Sequence, residues 1–300
     1  MADTASVGRA SLTEDQLGNW KLRECFQARL EPLRDRRAPT PTELDPRRTR
    51  LPAQYLSLMR LGLVNPVLKS ARALCTASSL KRVQRETGGP AVSRPSFSAR
   101  QQVVEPALLA GLLRALAQEA LPIFGDERVR QKVKDLIAND GTLLPALPRR
   151  AWALWQNPQN RAGKLPLEFS VWRQVPVEYT VTDGNTSERA VWKQKRRKGA
   201  CYVNDRNCSH DYRLISDVQK AEASFVLRLH NNALITPLDD KPRALSQADR
   251  HVGILEDRQV RLGSQPAGPG GRLVRVQSEG HTFLCFTNLQ EVEAELVALI

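Results

Sequence analysis

Two aspartates stand out for their setting. Asp140 lies in "LIANDGTLLPALP" (residues 136–148), between two apolar runs, and Asp205 ends the apolar run of "ACYVNDRN". A carboxylate among apolar residues costs several kcal/mol unless a partner offsets its charge. Two carboxylates brought together repel, and one of them then holds a proton. A divalent cation between them removes that conflict. Magnesium prefers octahedral oxygen ligands and keeps its waters, so one or two carboxylates plus a substrate phosphate suffice to hold it. Two such ions can activate an attacking oxygen and stabilise a leaving one. A plainer reading is structural: Asp140-Gly141 and Asp183-Gly184 are turn dipeptides, and Asp205 can simply end a strand. The chemistry requires these aspartates, 65 residues apart, to be neighbours in the fold.

The elements that must position them follow from the hydrophobic pattern. After residue 130, "LIANDGTLLPAL", "LPLEFSVWRQVP" and "VEYTVTDGN" read as strands. A short polar helix, "SERAVWKQKRRK", ends in basic residues that suit a helix C-terminus. The strand "ACYVNDRN", a helix around "HDYRLISDVQKAE" and the strand "SFVLRLH" come next. The order β-β-β-α-β-α-β is that of an RNase H-like sheet, whose first and fourth strands lie side by side. The expected fold class is therefore α/β, with an RNase H-like core over residues 126–231. Residues 232–290 predict a β-rich insertion of short strands ("HVGILED", "QVRLG", "RLVRVQSEG", "HTFLCFTNL"). Residues 291–300 open a helix with Val292, Leu296 and Leu299 on one face, and the chain stops at Ala-Leu-Ile without a cap, as if cut through an element.

Upstream, residues 1–50 read as a charged, Pro-containing arm, either a solvated tail or a basic arm on DNA. Residues 51–125 predict a helical region. "AQYLSLMRLGLV" forms one helix and "VLKSARALCTASSLKRVQRE" the next. The polar side of the second carries Lys69, Arg72, Lys81, Arg82 and Arg85, a solvated face or the DNA-contacting side of a helical module. Ser98 and Gln101 resemble a capping box for a helix with Val104, Leu108, Leu112, Leu116 and Ala120 on one face.

The net charge is +13 and unevenly spread. Residues 1–100 hold 18 Lys and Arg against 9 Asp and Glu, residues 101–200 hold 16 against 10, and residues 201–300 hold 11 against 13. This excess over the first two thirds favours a polyanionic partner, most simply nucleic acid, and Arg outnumbers Lys, which suits bidentate phosphate contacts. "KQKRRK", with Lys193, Lys195, Arg196, Arg197 and Lys198, either grips phosphates or forms a solvated helix end. Arg206, beside Asp205, either meets a scissile phosphate or pairs with a nearby acid. Trp152, Trp155, Trp172 and Trp192 can stack on bases, though tryptophans in such strands more often lie in a core. No apolar run is long enough for a membrane span and the N-terminus has no apolar signal core, so cytoplasmic residence is expected. The five cysteines suggest ordinary thiols in a reducing compartment; Cys201, Cys208 and His210 lack zinc-ribbon spacing and a fourth ligand.

The blocks "DGTLLPALPRRAWALW", "VEYTVTDGNTSERAVWKQ" and "GACYVNDRN", with "YLSLMRLGLVNPVLKSARALC" and "VSRPSFSARQ" upstream, together resemble the DDE transposases of bacterial insertion sequences, specifically the insertion-sequence-four family. The resemblance runs from about residue 50 to the end. It implies a nucleoid-associated bacterial enzyme that cuts double-stranded DNA at transposon ends and joins those ends to target DNA. It further implies Mg2+ or Mn2+ as cofactor and a homodimer in a synaptic complex. By position, Asp140 is the first catalytic, metal-binding acid and Asp205 the second. The family's β-rich insertion fits residues 232–290. Two departures stand out. "RNCSHDY" follows Asp205 where the family has a Gly-aromatic pair, and the Tyr-Arg-Glu-Lys signature carrying the third acid is absent. Glu291, Glu293 and Glu295 lack its context, which implies a chain ending before the catalytic Glu and catalytically incomplete. A non-catalytic DNA-binding regulator of transposition is the alternative.

Overall fold

The computed structural model describes residues 12–18, 24, 28, 32, 52–100, 106–146, 153, 160–193, 196–206, 211–264, 266 and 268–300. Most of the expected basic arm over 1–50 lies outside the described residues, as do Trp152, Trp155, Lys195, Asn207, Cys208 and His210. The chain divides into two compact units, Met1–Leu116 and Ala117–Ile300.

The first unit is helical. Helix α1 (Pro52–Val64) ends where the Asn65 side-chain amide donates to the Leu61 carbonyl at 2.7 Å, and Pro66 follows. The single helix expected over 67–86 is instead two, α2 (Ala71–Ala77) and α3 (Lys81–Thr87). The break has a local cause. The Ser78 and Ser79 hydroxyls donate to the carbonyls of Cys75 and Thr76, closing α2 with side-chain bonds that compete with helix continuation. Glu14 then accepts from the Arg82 backbone N–H at 2.8 Å, supplying an anion at the start of α3. Ser98 lies inside α4 (Arg94–Arg100) rather than capping a helix, and α5 (Pro106–Glu119) begins at a proline, which has no N–H to leave unpaired. Leu58, Leu61, Leu74, Val83 and Phe97 form the core, with the Tyr55 and Phe97 rings 5.1 Å apart.

The second unit is built on one mixed sheet. After α6 (Glu127–Lys132) come β1 (Asp135–Ala146), β2 (Arg161–Ser170), β3 (Val175–Tyr179) and the two-residue β4 (Thr182–Asp183). Then follow α7 (Glu188–Lys193), β5 (Ala200–Asn204), α8 (Tyr212–Lys220) and β6 (Ser224–Arg228). The last segment holds β7 (Ile235–Pro237), α9 (Gln247–His251), β8 (Ile254–Leu262), β9 (Gly270–Ser278), β10 (His281–Thr287) and α10 (Ala294–Leu299). The strand order is β3-β2-β1-β5-β6-β10-β9-β8-β7, with β4 on β2. β1, β2 and β3 are antiparallel, whereas β1, β5 and β6 run parallel.

Two sequence expectations change here. The β-rich segment extends the same sheet, because β10 pairs antiparallel with β6. "HVGILED" and "QVRLG" belong to the single strand β8, although its centre, Glu-Asp-Arg-Gln, looks like a turn. The polar centre is accommodated by pairing. Asp257 is buried against Arg272, both nitrogen–oxygen distances being 2.7 Å, and Arg258 meets Asp239 at 3.3 Å.

Both sheet faces are covered. Ile215 and Val218 of α8 pack over Ile137, Tyr202, Phe225 and Leu227 on one face. Leu296 and Val297 of α10, with Val129 of α6, pack over Leu136, Cys201, Val226 and Val274 on the other. Arg272 fastens this second layer, since its Nη1 donates to the carbonyls of Leu289 and Val292 just before α10. Asp249 of α9 fastens it again by accepting from the Glu295 N–H at 2.9 Å.

Removing one partner of a buried ion pair strands the other charge. Asp257→Ala is therefore expected to lower unfolding stability by about 3–5 kcal/mol in urea titration. Burial pushes the Asp249 carboxyl up, but hydrogen bonds from Ser246 and from the Glu295 N–H outweigh it and hold the group below its ordinary value. A depressed carboxylate stabilises the fold above its unfolded pKa and loses that contribution as pH falls through the folded one. Asp249→Asn is thus expected to flatten the loss of stability below about pH 4, measured by denaturant titration across acidic pH.

Candidate functional site

The site begins with the β1–β5 register. The two strands pair in parallel from Asp135 opposite Ala200 to Ala138 opposite Val203. Carrying that register two residues further sets Asn139 beside Asn204 and Asp140 beside Asp205. Side chains alternate along a strand, so Asp140, inside β1, shares the face of Leu136, and Asp205 is the first residue past the end of β5. Both are exposed. Asp205 follows the last residue of β5, so the pair sits at the carboxyl end of a parallel strand, where open α/β sheets form ligand crevices. Asp140 Oδ1 accepts from the Gly141 N–H at 2.8 Å.

Adjacent strands lie about 4.8 Å apart. Two carboxylates at one level can therefore reach a common cation with oxygen–metal distances of about 2.1 Å. Their chemistry fits a hard divalent ion, which takes one or two carboxylates and completes its shell with water and phosphate. Among the described residues, no group of three or more His, Cys, Asp or Glu side chains could hold a metal ion. Glu293 and Glu295 are engaged elsewhere, with Lys132 at 3.8 Å and Arg128 at 2.8 Å on α6. That helix precedes the start of β1, five residues before Asp140, or about 17 Å of strand.

Arg228 joins this row, and sequence reasoning missed it. Asn204 pairs with Leu227, so the next level sets Arg228 beside Asp205. Its guanidinium lies over the Phe283 ring, 4.4 Å from the centroid. The available signal was a lone cation ending the apolar strand "SFVLRLH".

The opposite face carries a buried polar row one level earlier. Glu178, Glu168 and Asn139 are consecutive partners across β3, β2 and β1, and Asn204 continues the row. Both amide atoms of Asn139 are buried without a hydrogen-bond partner. Glu168 is buried and meets Arg197 at 3.2 Å, while Arg197 also reaches Asp135 at 3.5 Å and donates its backbone N–H to the Tyr202 hydroxyl. Gly141 belongs here too, because a Cβ at that position would collide with the Glu188 carboxylate.

The expected DNA-binding residues fall into separate groups. Lys81 and Arg85 are exposed on α3 and Arg82 is half-buried, all in the first unit. Lys193 pairs with Asp217 at 2.9 Å and Lys198 with Glu222 at 2.6 Å. Arg196 lies 4.8 Å from the Tyr202 ring centroid, and Arg197 bridges two acids. Arg206 is exposed beside Asp205. Trp172 and Trp192 are core residues, the first donating its Nε1–H to the Val133 carbonyl and the second packing on Leu214. Burial pushes the Cys201 thiol up to about 12, leaving it an inert core group. No described helix is long and apolar enough to cross a membrane.

The sequence matches no protein-family model and no curated protein. Two solved structures resemble the chain weakly. A piggyBac transposase synaptic complex with hairpin DNA is 11% identical with a TM-score of 0.41, over 93% of this chain and 58% of that one. An endonuclease V from Bacillus subtilis is 6% identical with a TM-score of 0.26, over 65% of this chain and 81% of that one. The chain thus spans less than two thirds of the transposase chain, and at these scores neither likeness identifies an activity.

Arg197 offers a check on the buried row. Arg197→Ala is expected to cost about 1–3 kcal/mol in urea unfolding, because Glu168 loses a charge-assisted bond. Lys198→Ala, which breaks only an exposed pair, is expected to fall within about 0.5 kcal/mol of the parent.

Proposed function

We propose that this chain is a DDE transposase of the insertion-sequence-four type with an RNase H-like core, binding transposon ends and target DNA as a homodimer. One observation supports the reading: β1 and β5 pair in parallel as far as Ala138 opposite Val203, two residues before Asp140 and Asp205. The order of β1, β2, β3, β5 and β6, with α7 and α8 between them, is the one an RNase H-like sheet requires. The excess of Lys and Arg supplies affinity for phosphate that depends on salt but not on sequence.

Asp140 and Asp205 would hold Mg2+ or Mn2+. Such an ion, when bound, supplies Lewis-acid stabilisation of charge on a phosphodiester. Hydrolysis breaks the P–O3′ bond at a transposon end and frees a 3′ hydroxyl, which attacks a phosphorus of target DNA and displaces a target 3′ hydroxyl. In transfers of this kind the protein mainly positions groups and neutralises charge. Asp140 and Asp205 would hold the ion at the place where the phosphodiester reacts. Arg206 and Arg228, next to Asp205 in the chain and in the register, offset the negative charge that DNA brings. Lys81, Arg82 and Arg85 of α3 bind DNA phosphates.

A second reading is a DNA-binding regulator that occupies transposon ends without cutting them. It is favoured by the lack of a third acid near the pair among the described residues and by the engagement of Glu293 and Glu295 with α6. With two acids, residues 1–300 are expected to bind duplex DNA yet nick it feebly with Mg2+.

Calorimetric titration with Mn2+ separates the readings. Loss of an outer-shell partner already costs about 10–100-fold in metal affinity. Asp140→Ala and Asp205→Ala should each weaken binding at least that much, with thermal unfolding verifying that each variant is folded. Unaltered Mn2+ binding in both variants would overturn the metal site and leave the regulator. Efficient nicking by the unmodified chain would overturn the catalytic incompleteness.

A further inference from the structure

The face opposite the aspartates carries a groove that the preceding reading does not use. Lys193 of α7, Tyr212, Arg213, Ser216, Asp217 and Lys220 of α8, and Pro269 line it. Three cations face one carboxylate, and that carboxylate is held by Lys193 at 2.9 Å. Arg213 and Lys220 are exposed, and among the described residues neither forms an ion pair.

The groove has a built geometry. Leu214, Ile215 and Val218 are buried, so α8 is fixed by its apolar face and presents the opposite one. Arg213 and Lys220 are seven residues apart and lie on that outward face, about 10 Å from one another along the axis. Gly263 and Pro269, between β8 and β9, stand beside α8. Gly263 has φ +86°, and a Cβ there would come within 2.8 Å of the Tyr212 ring, so the close approach needs glycine. Gln219 Nε2 donates to the Gly270 carbonyl at 3.3 Å and ties the start of β9 to α8.

We propose that this groove docks the phosphodiester backbone of duplex DNA, on a stretch distinct from the one at Asp140 and Asp205. It rests on the DNA partner proposed above and adds a site for it. Two cations about 10 Å apart are comparable to the roughly 12 Å width of the major groove, so each meets phosphate on one of its rims. The Tyr212 side chain lines the groove beside them, and Ser216 donates its hydroxyl to the Tyr212 carbonyl at 3.1 Å. Contacts of this type set register and affinity without reading sequence.

The test is a salt titration of binding to a fluorescent mixed-sequence duplex. The chain is compared with Arg213→Gln/Lys220→Gln and with Lys241→Gln/Arg250→Gln, which removes equal charge from exposed positions outside the groove. Circular dichroism verifies folding of each. Loss of two phosphate contacts should weaken binding roughly tenfold at low salt and reduce the slope of log K against log salt by about 2. The control pair should leave the slope unchanged. In parallel, DNA should protect Lys220 from reductive methylation, a readout needing no variant. An equal slope change in both pairs, or none in the groove pair together with unprotected Lys220, would overturn the groove while sparing the DNA partner. Failure of the unmodified chain to bind DNA would overturn both.

Discussion

The parallel pairing of β1 with β5 is the contact on which the rest depends. Four backbone levels, Asp135 with Ala200 through Ala138 with Val203, set which residues meet at the strand end. Side chains in a sheet alternate, so a slip of one residue would send the second aspartate to the opposite face. The register is held by burial on both sides. Ile137 and Tyr202 lie in one core and Leu136 and Cys201 in the other, and each is almost fully enclosed. A one-residue slip of β5 would exchange Tyr202 and Cys201 between the layers beneath α8 and α10, misfitting both cores at once. The parallel register leading toward the two carboxylates is thus held by apolar residues.

The two faces divide the work. On the aspartate face, α6, α9 and α10 form a layer tied by Arg272, Asp249 and the pair of Arg128 with Glu295. On the other face, α7 and α8 cover the polar row of Glu168, Asn139 and Asn204, with Arg197 reaching down to the buried carboxylate. A buried charge with a partner specifies geometry more than it adds stability. Here it joins β2 to the loop that feeds β5, the strand leading into Asp205.

Much of this was legible in the residues and some was not. Asp140 and Asp205 could be singled out because each breaks or ends an apolar run, and those runs are β1 and β5. The order of strands and helices between them was readable from the change of hydrophobic period. Pairing of β10 with β6 was not, because strand neighbours far apart in sequence leave no local pattern. β8 was split in the reading because Asp257 looks like a turn residue until Arg272, 15 residues on, encloses it. Glu168 is a charge in an otherwise apolar strand and is buried with Arg197, which arrives from 29 residues away. The helix over 67–86 was over-extended since its apolar spacing continues through Ser78 and Ser79, whose hydroxyls turn the chain. Arg228 was passed over for want of knowing which strand lies beside β5.

The central claim is that Asp140 and Asp205 share one cation. Crystals of the chain soaked in Mn2+ and measured at the manganese absorption edge test it directly. The expected result is an anomalous peak with an oxygen of each carboxylate about 2.1 Å away. A peak at other residues, or carboxylates directed to opposite sides of the sheet, would contradict it.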